Sequence, residues 1–279
     1  MGRAVRDVRE EERTSQIVEF GVGSGRFGIP VERVREMTSL GHLDRIAGAP
    51  PWIAGVIRLR EEILPVVDLR LRLGLPSLED ERRSLLAELT RCREWHSGWV
   101  ERVLAEGPKR TGVAKASDRD LCDERFWTGH IYDEVPRLRQ IADRAHASHD
   151  ELHAAIRDMH CASGEEPEST TSDLLAEVEI RAASFDLQIE ELQRQVSEGT
   201  RPMVIVVTVD DVCTCLQVDR VHSVVSFRDA QRSPAPLGSL VTSDGTQLVS
   251  QVVKTEKDPR VVQVLDVDNL LTAAPRPAP

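Results

Sequence analysis

The apolar residues of this 279-residue chain change their spacing twice, and that change limits the fold more than any single motif does. Leu85, Leu89, Cys92, His96, Trp99 and Val103 follow alternating steps of four and three. Such steps place side chains on one face of an α-helix. Leu138, Ala142, Ala145, His149, Leu152, Ile156 and Met159 form a second stripe of the same kind. Leu175, Val178, Ala182, Phe185, Ile189, Leu192 and Val196 form a third. On both sides of this middle region the period falls to two, the mark of strands with one buried face.

The flanks read as short strands broken by Gly and Pro. Residues 16–22 alternate, and Gly23-Ser24-Gly25 marks a hairpin turn into 26–29. Residues 31–37 suggest a short helical piece with Val31, Val34 and Met37 on one side. Strands are expected over 53–59 and 63–68, then again over 203–209, 213–218, 238–241, 247–254 and 261–267. This pattern predicts a small barrel or sandwich. A fourth, shorter helix is expected at 118–127, completing a four-helix bundle. The chain therefore divides into an extension (1–14), a β unit in two parts (15–76 and 201–272) split by a helical insertion (77–200), and an Ala/Pro-rich disordered tail (273–279). Insertion at a loop is inexpensive when the ends of the inserted unit lie close together.

Charge is unevenly placed. Residues 77–200 carry 27 acidic and 16 basic side chains, so the insertion accounts for the whole net charge of −11. An acidic surface argues against nucleic acid as a partner, because phosphate binding needs clustered Lys and Arg. No apolar run is long enough for a membrane span, and residues 1–15 lack the apolar stretch of a secretory signal. Five cysteines, an odd number in a chain large enough to fold without disulfides, suit a reduced cytoplasmic setting. Cys92 reads as a packing residue, Cys161 as a free thiol, and Cys213 with Cys215 as small core side chains on one strand face.

Six of the eight histidines fall in the helical insertion. His149 and His153 are four apart on one helix and face the same way. His96 lies on an apolar stripe and so points inward, and Cys122 is followed closely by two aromatic residues. Three imidazoles and a thiolate suit tetrahedral Zn2+. Four protein ligands would close the coordination sphere, making the site structural or sensory rather than hydrolytic. His146 and His160 lie close enough on the same helix to substitute within the set.

These residues make the insertion resemble the chemoreceptor zinc-binding (CZB) domain, whose pattern is a His near an aromatic, then a Cys, then HxxxH. His96 with Trp99, then Cys122, then His149 with His153 match it in order; Glu124 and Arg125 depart from the family's run after the Cys. The flanks resemble a CheW-type chemotaxis coupling protein. FGIPVERVREM and IAGAPPWIAGVIRLREEILPVVDLRLRLGLP are similar to its first half, and VIVVTVDDVCTCLQVDRVHSVV with QVLDVDNLL to its second. That resemblance implies an α+β multidomain protein: two small five-stranded SH3-like barrels interrupted by the four-helix bundle. It implies no catalysis, and binding to the regulatory domain of the histidine kinase CheA and to the cytoplasmic tip of chemoreceptors. Glu36 and Arg60 stand where the family uses charged receptor contacts; Arg58 and Glu61 depart from its usual residues. The bundle's resemblance implies Zn2+, responses to zinc or to an oxidant, and dimers among its relatives.

Two other readings compete with a zinc-modulated adaptor. HDELH at 149–153 resembles the HExxH of zinc hydrolases, but Asp150 replaces the Glu that acts as general base. A metal-free bundle could instead serve as an acidic interaction module.

Overall fold

The computed structural model describes residues 14–107, 127, 132, 136–161, 168–199, 201–228, 231–236, 240–241, 245–254 and 261–272. The chain divides into two compact units, Met1–Leu78 with Arg201–Pro279, and Glu79–Thr200. In chain order come β1 (Thr14–Val22), β2 (Gly25–Pro30), a 3-10 turn (Val31–Arg33), β3 (Val34–Ser39), β4 (Leu43–Asp44), β5 (Ile53–Leu59), β6 (Glu62–Asp68) and α1 (Leu69–Arg72). Three long helices follow: α2 (Leu78–Glu106), α3 (Pro136–Cys161) and α4 (Glu168–Glu198). Then come β7 (Met203–Val209), β8 (Val212–Val218), β9 (Arg220–Arg228), β10 (Arg232–Pro234), β11 (Val249–Lys254), β12 (Val261–Leu265) and α5 (Val267–Thr272).

The β unit is two sheets, and each is woven from both halves of the chain. One has the order β10-β11-β12-β2-β1-β9, the other β3-β7-β8-β6-β5-β4. The β7–β8 hairpin thus sits between β3 and β6, pairing antiparallel with β3 and parallel to β6. Alternating apolar residues of both sheets make one core, including Phe20, Ile29, Ile205, Val207, Leu216, Val249 and Leu265. Gly55 sits at a bulge with φ of 151°, and a Cβ there would stand 2.2 Å from the Asp44 carbonyl oxygen. Only glycine lets the short β4 edge approach so closely.

A buried ion pair fastens the two sheets. Arg70 Nε of α1 donates to Asp219 Oδ1 at 2.6 Å, with both side chains almost wholly buried. The second oxygen, Oδ2, accepts the Gly23 backbone N–H at 2.6 Å. Asp219 is the residue between β8 and β9, where the chain passes from one sheet to the other. Asp68 caps α1 by accepting the Leu71 N–H, and burial raises its carboxyl pKa. Arg72 donates to the Leu270 carbonyl and lies over the Trp52 ring.

The helical unit follows the sequence stripes. Leu85, Leu89, Cys92, His96, Trp99 and Val103 are all buried on α2. Ala142, Ala145, His149, Leu152, Ile156 and Met159 are buried on α3, and Val178, Phe185, Ile189, Leu192 and Val196 on α4. These faces form one apolar cluster.

Several expectations differ from the structure. The helical piece at 31–37 shrinks to one 3-10 turn; Val34–Ser39 is instead β3, paired along β7. Strand pairing wins because β7 is a β-branched run offering a full ladder, and Met37 stays exposed rather than joining an inward helical face. Among the described residues the β unit forms two six-stranded sheets. Two members, β4 and β10, have two and three residues, too short to show a period. The strand expected at 261–267 ends at Leu265, and Val267 opens α5. Of the strand expected at 238–241, the described part is an isolated bridge from Val241 to Gln247. Of the fourth helix at 118–127, only Trp127 is described. No helix among the described residues is long and apolar enough to cross a membrane.

Replacing Asp219 by Ala leaves Arg70 charged and buried without its carboxylate. Urea denaturation should show a loss of about 3–5 kcal/mol, whereas the paired change Arg70→Met/Asp219→Leu should recover much of it.

Candidate metal centre

Three of the four expected ligands converge. His96 on α2 and His149 and His153 on α3 have ring nitrogens all within 4.8 Å of one another. The two α3 residues are one helical turn apart, and α2 brings His96 to them from its apolar stripe. His96 Nε2 and His153 Nε2 stand 3.2 Å apart. Ligand nitrogens of a tetrahedral zinc site, at about 2.0–2.1 Å from the ion, lie about 3.3 Å from each other. Cys122 lies outside the described residues.

The outer nitrogens set the tautomers. His96 Nδ1 donates to the Cys92 carbonyl at 2.7 Å, which leaves the Nε2 lone pair facing inward. His149 Nδ1 faces Asp150 Oδ1 at 3.4 Å, again turning Nε2 inward. His149 Nε2 is buried and has no hydrogen-bond partner among the described residues. A polar atom left in that state costs about 1–3 kcal/mol, so the pocket favours an occupant that accepts its lone pair. Outer hydrogen bonds that fix ring orientation are the usual support of metal-binding histidines. These residues fit Zn2+ or a similar late transition ion, for which imidazole is a suitable ligand.

Aromatic rings wall the cluster. Phe185 lies 4.9 Å from His96 and 5.7 Å from His149, centroid to centroid. Trp99 lies 4.8 Å from His153, and Trp127 5.5 Å from His149. Burial among them lowers all three imidazole pKa values, and the neighbouring rings lower two further. His149 falls to about 3, by desolvation first and then the charges of His153 and His96; His153 falls to about 4, by desolvation, His96 and Arg157. His96 is lowered by desolvation against its bond to Cys92. All three are neutral at neutral pH, the form that binds a metal.

His146 and His160 lie outside the cluster. His146 stacks on Trp127 at 5.1 Å, and His160 Nδ1 donates to the Ile156 carbonyl. Asp150, the residue in the position of a hydrolase's general base, is exposed and lies beside His149 Nδ1 and His146 Nε2. Sequence reasoning passed over Phe185 and Asp150 as contributors. Phe185 was visible as an inward residue of the α4 stripe, and Asp150 as the residue directly after His149.

In the β unit, Glu36 and Arg60 are brought together. Arg60 Nη2 donates to Glu36 Oε2 at 2.9 Å from the β5–β6 turn, where Arg60 has φ of 57°. Beside them Arg35 Nη1 binds Glu62 Oε2 at 2.7 Å and lies 3.1 Å from Cys213 Sγ. A bulge between Val34 and Glu36 allows adjacent residues of β3 both to reach the β5–β6 hairpin. Cys215 is buried in the core, where desolvation pushes its thiol up to about 11.

Two sheets each woven from both halves of the chain, with a helical unit between those halves in sequence, define a class: a two-sheet β fold carrying an insertion. The CheW-like domain model matches residues 16–91 and 187–274, more than half of the chain, so the chain belongs to the CheW-like domain family. It is 34% identical over 87 residues to the chemotaxis protein CheW of Bacillus subtilis, covering 30% of this chain and 54% of that protein. It is 32% identical over 71 residues to CheW of Rhizobium meliloti, covering 25% and 46%. The chain thus spans about half the length of the curated relatives it matches. Among solved structures, the scaffolding protein TtCheW from Thermoanaerobacter tengcongensis aligns over 93% of this chain and 88% of its own, with 14% identity and a TM-score of 0.45.

The depressed imidazole pKa values give the helical unit a pH dependence. Unfolded histidine takes up protons near pH 6.5, while folded His149 and His153 stay neutral to about 3 and about 4. The unfolded state therefore binds more protons between those values, and stability falls as pH drops through that window. Metal-free protein should melt at a lower temperature at about pH 5.5 than at about pH 7, with a smaller drop in His149→Gln. Calorimetry across that range checks it.

Proposed function

We propose that the chain is a non-enzymatic adaptor that couples chemoreceptors to the histidine kinase CheA, with its helical unit as a zinc-holding sensory module. Membership of the CheW-like family carries the first part, because both halves of the β unit fall within the match. On this reading residues 77–200 are an insertion into the coupling unit, and the β unit meets the CheA regulatory domain and the cytoplasmic tip of receptors. Glu36 and Arg60 act as one charged element, since each holds the other in place at 2.9 Å.

The convergence of His96, His149 and His153 carries the second part. Zn2+ would be held by these three rings and, as the resemblance to the CZB domain implies, by the Cys122 thiolate. The bound ion would tie α2 to α3, because its ligands come from both helices. Two-electron oxidation of the thiolate by a peroxide or hypochlorous acid to a sulfenic acid would remove that ligand and weaken the tie. Zinc occupancy and oxidant are thus two inputs to one site.

Two measurements test this. Charge exchange, Glu36→Arg with Arg60→Glu, keeps an intramolecular ion pair but inverts the charges shown to a partner. It should fold like the wild type yet lose receptor-dependent activation of CheA in reconstituted complexes. Retained coupling would remove the contact role. Mass spectrometry of the purified protein should find about one zinc per chain, falling well below that in His149→Ala and Cys122→Ala. A well-folded, zinc-free wild type would leave the adaptor reading on the β unit alone and favour a metal-free interaction bundle.

A further inference from the structure

His96 and His149 are buried and His153 is half-buried, so the two buried rings need a path to solvent. A groove of about 250 Å3 runs inward from the surfaces of α2 and α4. Its inner end is made by His96, Leu152 and Phe185, all fully buried, and its mouth by Ala183 and Glu101, both exposed. Among the described residues, Trp99 lies against His153 and Trp127 against His149.

Two carboxylates line the groove, and they differ. Asp186 is committed to Arg93, which binds it through Nε at 2.5 Å and Nη2 at 2.8 Å. Glu101 makes no ion pair among the described residues. It also borders the adjoining surface hollow, which Glu94 and the Asp186-paired Arg93 line on the same helix. The Ser97 hydroxyl, one turn of α2 before Glu101, lines both. The mouth therefore offers a free carboxylate and a hydroxyl ahead of the imidazole of His96. A low-dielectric cleft lined by one sign of charge concentrates the opposite ion at its opening.

We infer that this groove is the route by which a divalent cation reaches and leaves the three imidazoles, with Glu101 collecting the ion at the mouth. The inference rests on the metal-binding reading of His96, His149 and His153, and adds to it the path that sets how fast the site responds. Glu101 is a positioning residue here; the ion does not stay on it. A route alters entry and exit by the same factor, so it governs rates and leaves affinity unchanged. That separates it from a role in holding the site together, which would shift the dissociation constant.

The test uses the full chain stripped of metal. Zinc uptake is followed with a competing zinc-sensitive dye, release with an excess of chelator, and affinity by equilibrium competition. Ala183→Leu, a change well tolerated in a helix, partly fills the mouth. Glu101→Gln removes its charge at nearly constant shape. Each should slow uptake and release together, by about tenfold for the combined variant, at unchanged affinity. Raising the salt should slow wild-type uptake more than that of Glu101→Gln, because screening removes only what the charge supplied. Unchanged rates at unchanged affinity would overturn the route and leave the metal site standing. A matching loss of affinity would also overturn it, showing that these residues support the site. A folded wild type that takes up no zinc would overturn the metal reading, and the route with it.

Discussion

One carboxylate joins three separate segments of the β unit. Asp219 lies where the chain leaves one sheet for the other, and it accepts from the Arg70 guanidinium and from the Gly23 backbone N–H. Three segments far apart in sequence meet there: the β1–β2 turn, α1 and the β8–β9 junction. The first two bring the donors, and the third brings the carboxylate that accepts from both. Apolar packing alone allows sheets to slide, since it has no preferred direction. A buried guanidinium and carboxylate do not, because any displacement strands a charge in a medium of low dielectric. The same bond also joins the two parts of the β unit across the helical region, since Arg70 precedes it and Asp219 follows it.

In the helical unit the controlling cost is desolvation. Three imidazoles are buried among Trp99, Trp127 and Phe185, and each is kept neutral by that burial. Cys92 and Asp150 face the outer nitrogens of two rings, which turns lone pairs toward the centre, where His149 Nε2 finds no donor. His96 Nε2 and His153 Nε2 face each other at 3.2 Å, and a cation at the centre would satisfy the remaining nitrogen of His149. A bound cation would couple its own affinity to the stability of the bundle.

Much of this was legible in the sequence, and the reasons are specific. The helix stripes could be read because every third or fourth residue from Leu85 to Val103 is buried, and a period repeated that often is hard to mistake. His96 and His149 could be read because each lies on such a stripe, and His153 because it follows His149 by one helical turn. Strand β3 could not be read, because Val34, Glu36 and Thr38 alternate only weakly and the bulge at Arg35 breaks even that. Nor could the Arg70–Asp219 pair, since nothing in a sequence separates two buried charges from two solvated ones at a separation of 149 residues. The contact between Glu36 and Arg60 depends on the approach of the β5–β6 hairpin to β3, a property of tertiary structure. The outer partners of the histidines were half visible: Asp150 by adjacency, the Cys92 carbonyl only once the helix was built.

The tryptophans have a consequence of their own. The chain has four, and three of them, Trp95, Trp99 and Trp127, stand with ring centroids 4.8–5.5 Å from an imidazole of the cluster. Indole emission responds to the charge and electron density of its immediate neighbours. The fourth, Trp52, belongs to the β unit and lies under Arg72. The native protein thus carries its own optical probe: three of its four indoles sit beside the histidines, where a change of state would reach them without any added label.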